Sequence, residues 1–345
     1  MTDQPTPREQ LAKLLTYTRG FRATFVASTG LKLGLFRRIH ENPGITPEVL
    51  ARELGLHPPY VSVWCRTACA LGLLEADEAG HLTLAPAFDQ ILVDSASPWY
   101  YGGAVSLLVD YETDDLASHP AYFKSGEVFP FQAHGRAFSE QVGNATTGLH
   151  QVLVRRTLPG VPGMDERLHR GLRALDVGCG CGGLLLALVQ AFPAGRYVGV
   201  DTDRRALAVA RKAIRAAGVS RRVGVKAVGN DGFPVKGPFE LITLVQVLHE
   251  IRQEARPTVL RECARHIAPD GWLVILDETY PSGWADLRQP ENSRPVLTAY
   301  TELTWGNVPL TRRDQETLLT DAGFVLKERS PFGEGFTLLT AQKAP

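Results

Sequence analysis

ALDVGCGCGG, residues 174–183, is the stretch on which the fold of this chain turns. A short apolar run ends in it and the helix-like LLLALVQAF follows directly, so the glycines sit between a strand and a helix. Gly178, Gly180 and Gly183 satisfy G-x-G-x-x-G in the context where that spacing has meaning. Glycine there allows a tight turn and lets a ligand approach the backbone. Asp176 stands two residues before the first glycine, at the carboxyl edge of the strand, where ligands of such sheets bind. A dinucleotide lays its pyrophosphate over this turn, and a carboxylate at the same edge repels it.

Outward from the loop the texture alternates. ALDVG, RYVGV, RVGVKAV, FELITLV and WLVILDE are short β-branched runs, and segments such as RRALAVARKAIRAAG between them carry helical spacing. This alternation predicts an α/β domain over residues 171–345, built on a Rossmann-like, doubly wound, mostly parallel sheet. The second run ends in Asp201, 23 residues after Gly178, the spacing at which an acidic side chain reaches ribose hydroxyls. Asp203 is its rival, although its place at the head of DRRALAVARKAI suits an N-cap. After the third run, VKAVGNDGFPV offers Asp231, with Asn230 as the alternative, and Asp231 before Gly232 equally suits a plain turn.

Before about residue 170 the apolar spacing is mainly helical. The segment ITPEVLARELGLHPPYVSVWCRTACALGLLEADEAGHLTLAP starts a helix at Thr46 and Pro47 and ends it at Gly55. It opens a second at Pro58 and Pro59, closes that at Gly72, and turns two short strands around Gly80. That is a winged-helix pattern, and it places a mainly α-helical domain over residues 1–95. Yet residues 46–94 hold only Arg52 and Arg66 against seven acidic residues, the wrong sign for a phosphate backbone. Packing or dimerisation is therefore the expected task, with no nucleic acid as partner. Residues 96–170, with aromatics including Trp99, Tyr111, Phe123 and Phe131, read as linking helices that roof a cleft in the later domain, or as plain core.

The 345 residues suffice for two or three domains, and a 44% apolar, 21% charged composition is that of a globular protein. Lys and Arg balance Asp and Glu at 37 each, so total charge draws the chain to neither nucleic acid nor an anionic membrane. Five cysteines are too few for a disulfide framework, no apolar run reaches about 18 residues, and the N-terminus lacks the order of a signal peptide. A soluble, cytoplasmic protein is the expectation. Cys65 with Cys69, and Cys179 with Cys181, lack further ligands at zinc-site spacing, so no metal is expected.

The loop carrying Asp176, Gly178, Gly180 and Gly182 resembles the D-x-G-x-G-x-G motif of the class I S-adenosylmethionine-dependent methyltransferases. S-adenosylmethionine brings a sulfonium and an α-ammonium but no phosphate, so a carboxylate beside the turn suits it. The resemblance implies Asp231 beside the adenine amino group, and Leu244 to Val247, Val245 among them, along the cofactor's other side. From about residue 10 to 342 the chain is similar to small-molecule O-methyltransferases that join a winged-helix dimerisation domain to the methyltransferase domain. That likeness implies a homodimer acting on a small-molecule acceptor, commonly in the tailoring of secondary metabolites.

In that family a His-Asp-Trp triplet after the fourth strand supplies the base, and here His249-Glu250-Ile251 keeps only the His. His249 titrates near neutrality at a cleft edge, so the roles of general base and of cofactor-lining or capping residue are both open to it. Glu278 is assigned as the carboxylate that orients the imidazole, with Asp277 its close competitor and Glu334 a weaker match. Phe131, Tyr300 and Trp305 are assigned to acceptor contact, each ring also suiting simple packing. Tyr300, Glu302 and Trp305, at i, i+2 and i+5, cannot share one helical stripe. The departures at Glu250 and Ile251 leave carbon or nitrogen methylation, or a non-methylating reaction on the same fold, as alternatives to transfer to oxygen. A winged-helix regulator with a ligand-sensing domain is the remaining rival.

Overall fold

The computed structural model describes residues 4–345 other than Asn230 and the side chain of Gln132. Two compact units emerge, one holding the residues up to Thr113 with Ala145–Gly148, the other Asp114–Asn144 with Leu149–Pro345. The 96–170 segment is thus shared between them rather than forming a piece of its own.

In the first unit α1 (Pro7–Lys32) opens with a capping box between Thr6 and Glu9. It is followed by α2 (Leu35–Glu41), α3 (Pro47–Leu54), α4 (Pro58–Ala70) and the antiparallel pair β1 (Leu74–Ala76) and β2 (Leu82–Leu84), then α5 (Gly102–Leu107). Thr46 caps α3 through the Val49 N–H, and Gly55 ends it in the left-handed conformation, as the sequence signals require. Ile45 bridges Leu82, completing a winged helix whose core includes Phe36, Ile39, Leu50 and Trp64. Gly30 on α1 must be glycine, because the Phe36 and Trp64 rings occupy the space a Cβ needs.

The helices α6 (Thr113–Ser125), α7 (Arg136–Ala145), α8 (Thr147–Val152), α9 (Leu158–Gly160) and α10 (Met164–Arg170) lead into the sheet of the second unit. There β3 (Arg173–Val177), α11 (Gly183–Ala191), β4 (Arg196–Asp201), α12 (Arg204–Ala216), β5 (Val223–Ala227) and β6 (Phe239–Val245) alternate. They continue with α13 (Arg256–His266), β7 (Ile267–Glu278), α14 (Ser293–Thr301), α15 (Arg312–Asp321) and the hairpin β8 (Phe324–Phe332) and β9 (Phe336–Lys343). The seven strands lie in the order β5-β4-β3-β6-β7-β9-β8, parallel except for β9, which runs antiparallel to β7 and β8.

Strand alternation sends Ala174, Leu241, Val274 and Leu276 into one apolar layer and Leu175, Ile242, Leu273 and Ile275 into the other. With both faces buried, ligand access is left to the ends of the strands. Chain order reverses between β3 and β6, so the carboxyl ends of those two strands flank the crevice.

Candidate active site

The crevice floor is the loop between β3 and α11. Gly178, Gly180 and Gly182 all have positive φ, at 74°, 47° and 80°. A Cβ on Gly178 would meet Val247 Cγ2 at 2.4 Å, so the wall after β6 presses directly on the loop, whereas beside Gly180 there is open space. Asp201, at the end of β4, accepts the Gly180 N–H at 2.7 Å and the Asp203 N–H at 2.8 Å, which fixes its carboxylate against the loop. Asp203 itself caps α12 through the Arg205 N–H and accepts from Ser139 Oγ at 2.8 Å. Asp176 is buried beside β6, where Thr243 Oγ1 donates to it at 2.8 Å, and burial pushes its pKa up to about 7. Asp231 lies exposed in a turn, and its rival Asn230 is outside the described residues. Val245 ends β6 opposite Leu276, and Gln246 follows at φ 54°, a conformation costly for a non-glycine residue, with its N–H on Leu276 O at 2.7 Å.

Three residues beyond that kink is His249, buried between two carboxylates. Its Nδ1 lies 2.5 Å from Asp277 Oδ1, and its Nε2 lies 3.4 Å from Glu302 Oε2. Burial opposes a charged ring, but Asp277 and Glu302 outweigh it and hold the imidazole pKa well above the ordinary value. Asp277, at the end of β7, also accepts the backbone N–H groups of His249 and Glu278. The carboxylate against the imidazole Nδ1 is therefore Asp277, and Glu278, expected there, bonds elsewhere. Successive strand side chains point to opposite faces, and Glu278 accepts instead from Thr298 Oγ1 at 3.0 Å. Burial pushes the Glu278 pKa up to about 7. Glu334 sits in the exposed hairpin turn between β8 and β9, where only its carbonyl is engaged, by Arg294. Glu250 is also pushed up by burial, with Glu302, Asp201 and Asp277 adding to the shift and the His249 charge opposing it.

The three aromatic positions do not share a wall. Trp305 is buried in a packed cluster with Phe131, His134 and Phe138 at ring separations of 6.0, 5.5 and 5.4 Å, and its Nε1–H is satisfied by Asp115 at 2.9 Å. Tyr300 is exposed and meets His119 of α6 edge-on at 4.9 Å. Glu302, between them in sequence, turns to His249 and receives Asn307 Nδ2 at 2.8 Å. One face of the α14 segment thus serves the histidine, while Tyr300 and Trp305 serve the packing of α6 and of Phe131–Phe138.

A methyltransferase domain model matches residues 174–271, from the first strand of the glycine motif to the start of β7. Over 349 aligned residues the chain is 25% identical to the phenazine O-methyltransferase PhzM of Lysobacter antibioticus, covering 95% of each. It is 24% identical to the 3-hydroxy-5-methyl-1-naphthoate 3-O-methyltransferase of Streptomyces sahachiroi, covering 88% of this chain and 86% of that one. Human N-acetylserotonin methyltransferase, solved in complex with S-adenosylmethionine, superposes with a TM-score of 0.80 over the full length of both chains at 16% identity. The chain carries a methyltransferase domain and is similar, over nearly its whole length, to S-adenosylmethionine-dependent small-molecule O-methyltransferases.

The residues of this methyltransferase fit the cofactor. Positive-φ glycines leave open space at Gly180, Asp201 is pinned against the loop, and the buried Asp176 carboxyl suits a cationic rather than a phosphate-bearing ligand. Sequence reasoning missed three of the supports. Glu302 was set aside as one of three residues off a common stripe. Thr243 is hidden within an apolar strand, and Arg256 has no local signal at all. Buried Arg256 ties the histidine turn down by donating to His249 O at 2.9 Å, Ile251 O at 2.8 Å and Val308 O at 2.6 Å. Strand alternation was the available clue to Asp277, since only one of two adjacent carboxylates can face His249.

Proposed function

We propose that this methyltransferase moves a methyl group to a hydroxyl oxygen of a small aromatic acceptor, with His249 as general base. The observation that carries this reading is the Asp277–His249–Glu302 array at the carboxyl ends of β6 and β7, beside the glycine loop. When bound, S-adenosylmethionine supplies an activated methyl group on a positively charged sulfur. The protein's share is positioning and proton removal. Asp277 holds the Nδ1–H and supports the positive ring, which leaves Nε2 to take the hydroxyl proton as the oxygen becomes nucleophilic. An acceptor hydroxyl would replace Glu302 at Nε2. Because two carboxylates favour the imidazolium, the ring must first release its Nε2 proton. Asp176, Asp201 and the three glycines would hold the cofactor, with Val245 and Asp231 as further contacts, and Phe131, Tyr300 and Trp305 would shape the acceptor side by packing the segments around it. The phenazine and naphthoate named for the two relatives support a fused aromatic acceptor.

Incubation with S-adenosylmethionine and hydroxylated phenazines or naphthoates should give products heavier by about 14 mass units with the methyl on oxygen. A methyl located on carbon or nitrogen would replace this reading. His249→Ala should lower kcat by about 10²- to 10⁴-fold while leaving S-adenosylhomocysteine affinity intact; a wild-type rate removes the base.

We also infer a homodimer formed through the winged-helix unit. The helix α1 leaves Leu11, Leu14, Tyr17 and Phe21 between 55% and 67% exposed, a run of large apolar side chains that a second copy would cover. A light-scattering mass near twice 37.7 kDa checks it. All five cysteines are unpaired, which supports work in the reducing cytoplasm, and no helix among the described residues is long and apolar enough to cross a membrane.

A further inference from the structure

The lid segment before β3 lies on the glycine loop. Ser139 O of α7 accepts from Cys181 Sγ at 3.3 Å, and a Cβ on Gly143 would stand 3.2 Å from that of Cys181. Next along the chain comes His150, whose ring occupies the side of Gly183: a Cβ there would meet His150 Nδ1 at 2.9 Å. His150 therefore touches the last glycine of the motif directly, and the absence of a side chain at Gly183 is what admits it.

The two ring nitrogens differ. Among the described residues Nδ1 is shut off from solvent with no hydrogen-bond partner, a state that Nε2 does not share. A proton on Nδ1 would be a buried donor with nothing among the described residues to receive it, whereas a lone pair there lies against Gly183 at no such cost. The neutral ring thus carries its proton on Nε2. Burial with no compensating carboxylate lowers the pKa of His150 to about 4, so the ring stays neutral at working pH.

We propose that His150 is a cofactor-recognition residue, its Nε2–H donating to the α-carboxylate at the methionine end of S-adenosylmethionine. The α-ammonium is the wrong partner, because it offers only donors and the ring's one lone pair is enclosed against Gly183. The assignment rests on the cofactor identified above and adds to it the residue that reads its amino-acid end.

The test is calorimetric binding of four probes to the full-length protein: S-adenosylmethionine, S-adenosylhomocysteine, decarboxylated S-adenosylmethionine and 5′-methylthioadenosine. The third keeps the ammonium without the carboxylate, and the last lacks the amino-acid end altogether. His150→Ala should weaken the first two by about 10- to 30-fold, the scale of a hydrogen bond to a charged group, and leave the other two within about twofold. His150→Leu, which keeps bulk, should repeat that pattern if the smaller residue disturbs folding. His150→Gln, which keeps a neutral N–H, should restore affinity to within about threefold of wild type. Equal weakening of all four probes would make His150 a packing residue and overturn the proposal. Loss that includes the decarboxylated probe but spares 5′-methylthioadenosine would move the contact to the ammonium and overturn it too, as would no loss at all. Failure of the wild type to bind any probe would instead count against the cofactor.

Discussion

The two halves of the crevice are built in different ways. The half proposed to face the cofactor is made from backbone: three positive-φ glycines within five residues, and a carboxylate pinned by two main-chain N–H groups. The half proposed to face the acceptor is made from side chains brought together from residues 249, 277 and 302, with Arg256 holding the histidine turn by its carbonyls. A backbone cradle tolerates many side chains around it but few changes of glycine. A side-chain array keeps its fold when altered and loses its chemistry. Recognition of an invariant cofactor suits the first construction, and a variable acceptor suits the second.

The sharpest break in this comparison should come on the acceptor side. Asp277→Asn should lower kcat by about 100-fold or more, because the carboxylate fixes the imidazole tautomer and supports its charge. Glu278→Gln should leave it within about fivefold, since Glu278 makes its bond to Thr298 and none to the ring. Steady-state kinetics at saturating cofactor decide it, and equal effects would return Glu278 to the orienting role. On the cofactor side, Asp201→Ala should weaken S-adenosylhomocysteine by about 10- to 30-fold in a calorimetric titration while kcat at saturation stays within about threefold. An unchanged dissociation constant would take Asp201 out of the ribose site.

The smallest expected effect is a displacement of the pH profile. A base must be neutral to act, and His249 is held charged beyond the ordinary imidazole value of 6.5, so the rate should rise with pH through a value above it. Glu302→Gln removes one of the two anions that raise this pKa, and the rising limb should move about one unit toward acid. A limb that stays in place, or moves toward alkali, would show that Glu302 does not act on the histidine.

The contrast between the halves also explains what could be read in advance. The glycine turn and the alternating strands were legible because each depends on spacing along a short stretch, and backbone geometry is local. Glu278 was preferred to Asp277 because both end the same strand, and only the pleat of β7 decides which one turns toward His249. Trp305 and Tyr300 read as walls of a pocket, yet Asp115 satisfies the indole N–H and His119 meets the phenol ring. Those two partners lie on α6, roughly 180 residues earlier in the chain, where no periodicity could connect them.

From the sequence alone came the doubly wound sheet, the winged helix and a cofactor with positive charge and no pyrophosphate. Strand, turn and cap preferences act over a few residues, and one carboxylate beside a glycine turn already discriminates by charge. The tertiary structure alone decided which carboxylates flank His249, that Arg256 anchors its turn, and that His150 leans on Gly183. Apart from the Arg256 bonds to residues 249 and 251, those contacts join segments separated by dozens of residues, and they exist only once the hydrophobic layers on both faces of the sheet have fixed where each strand ends.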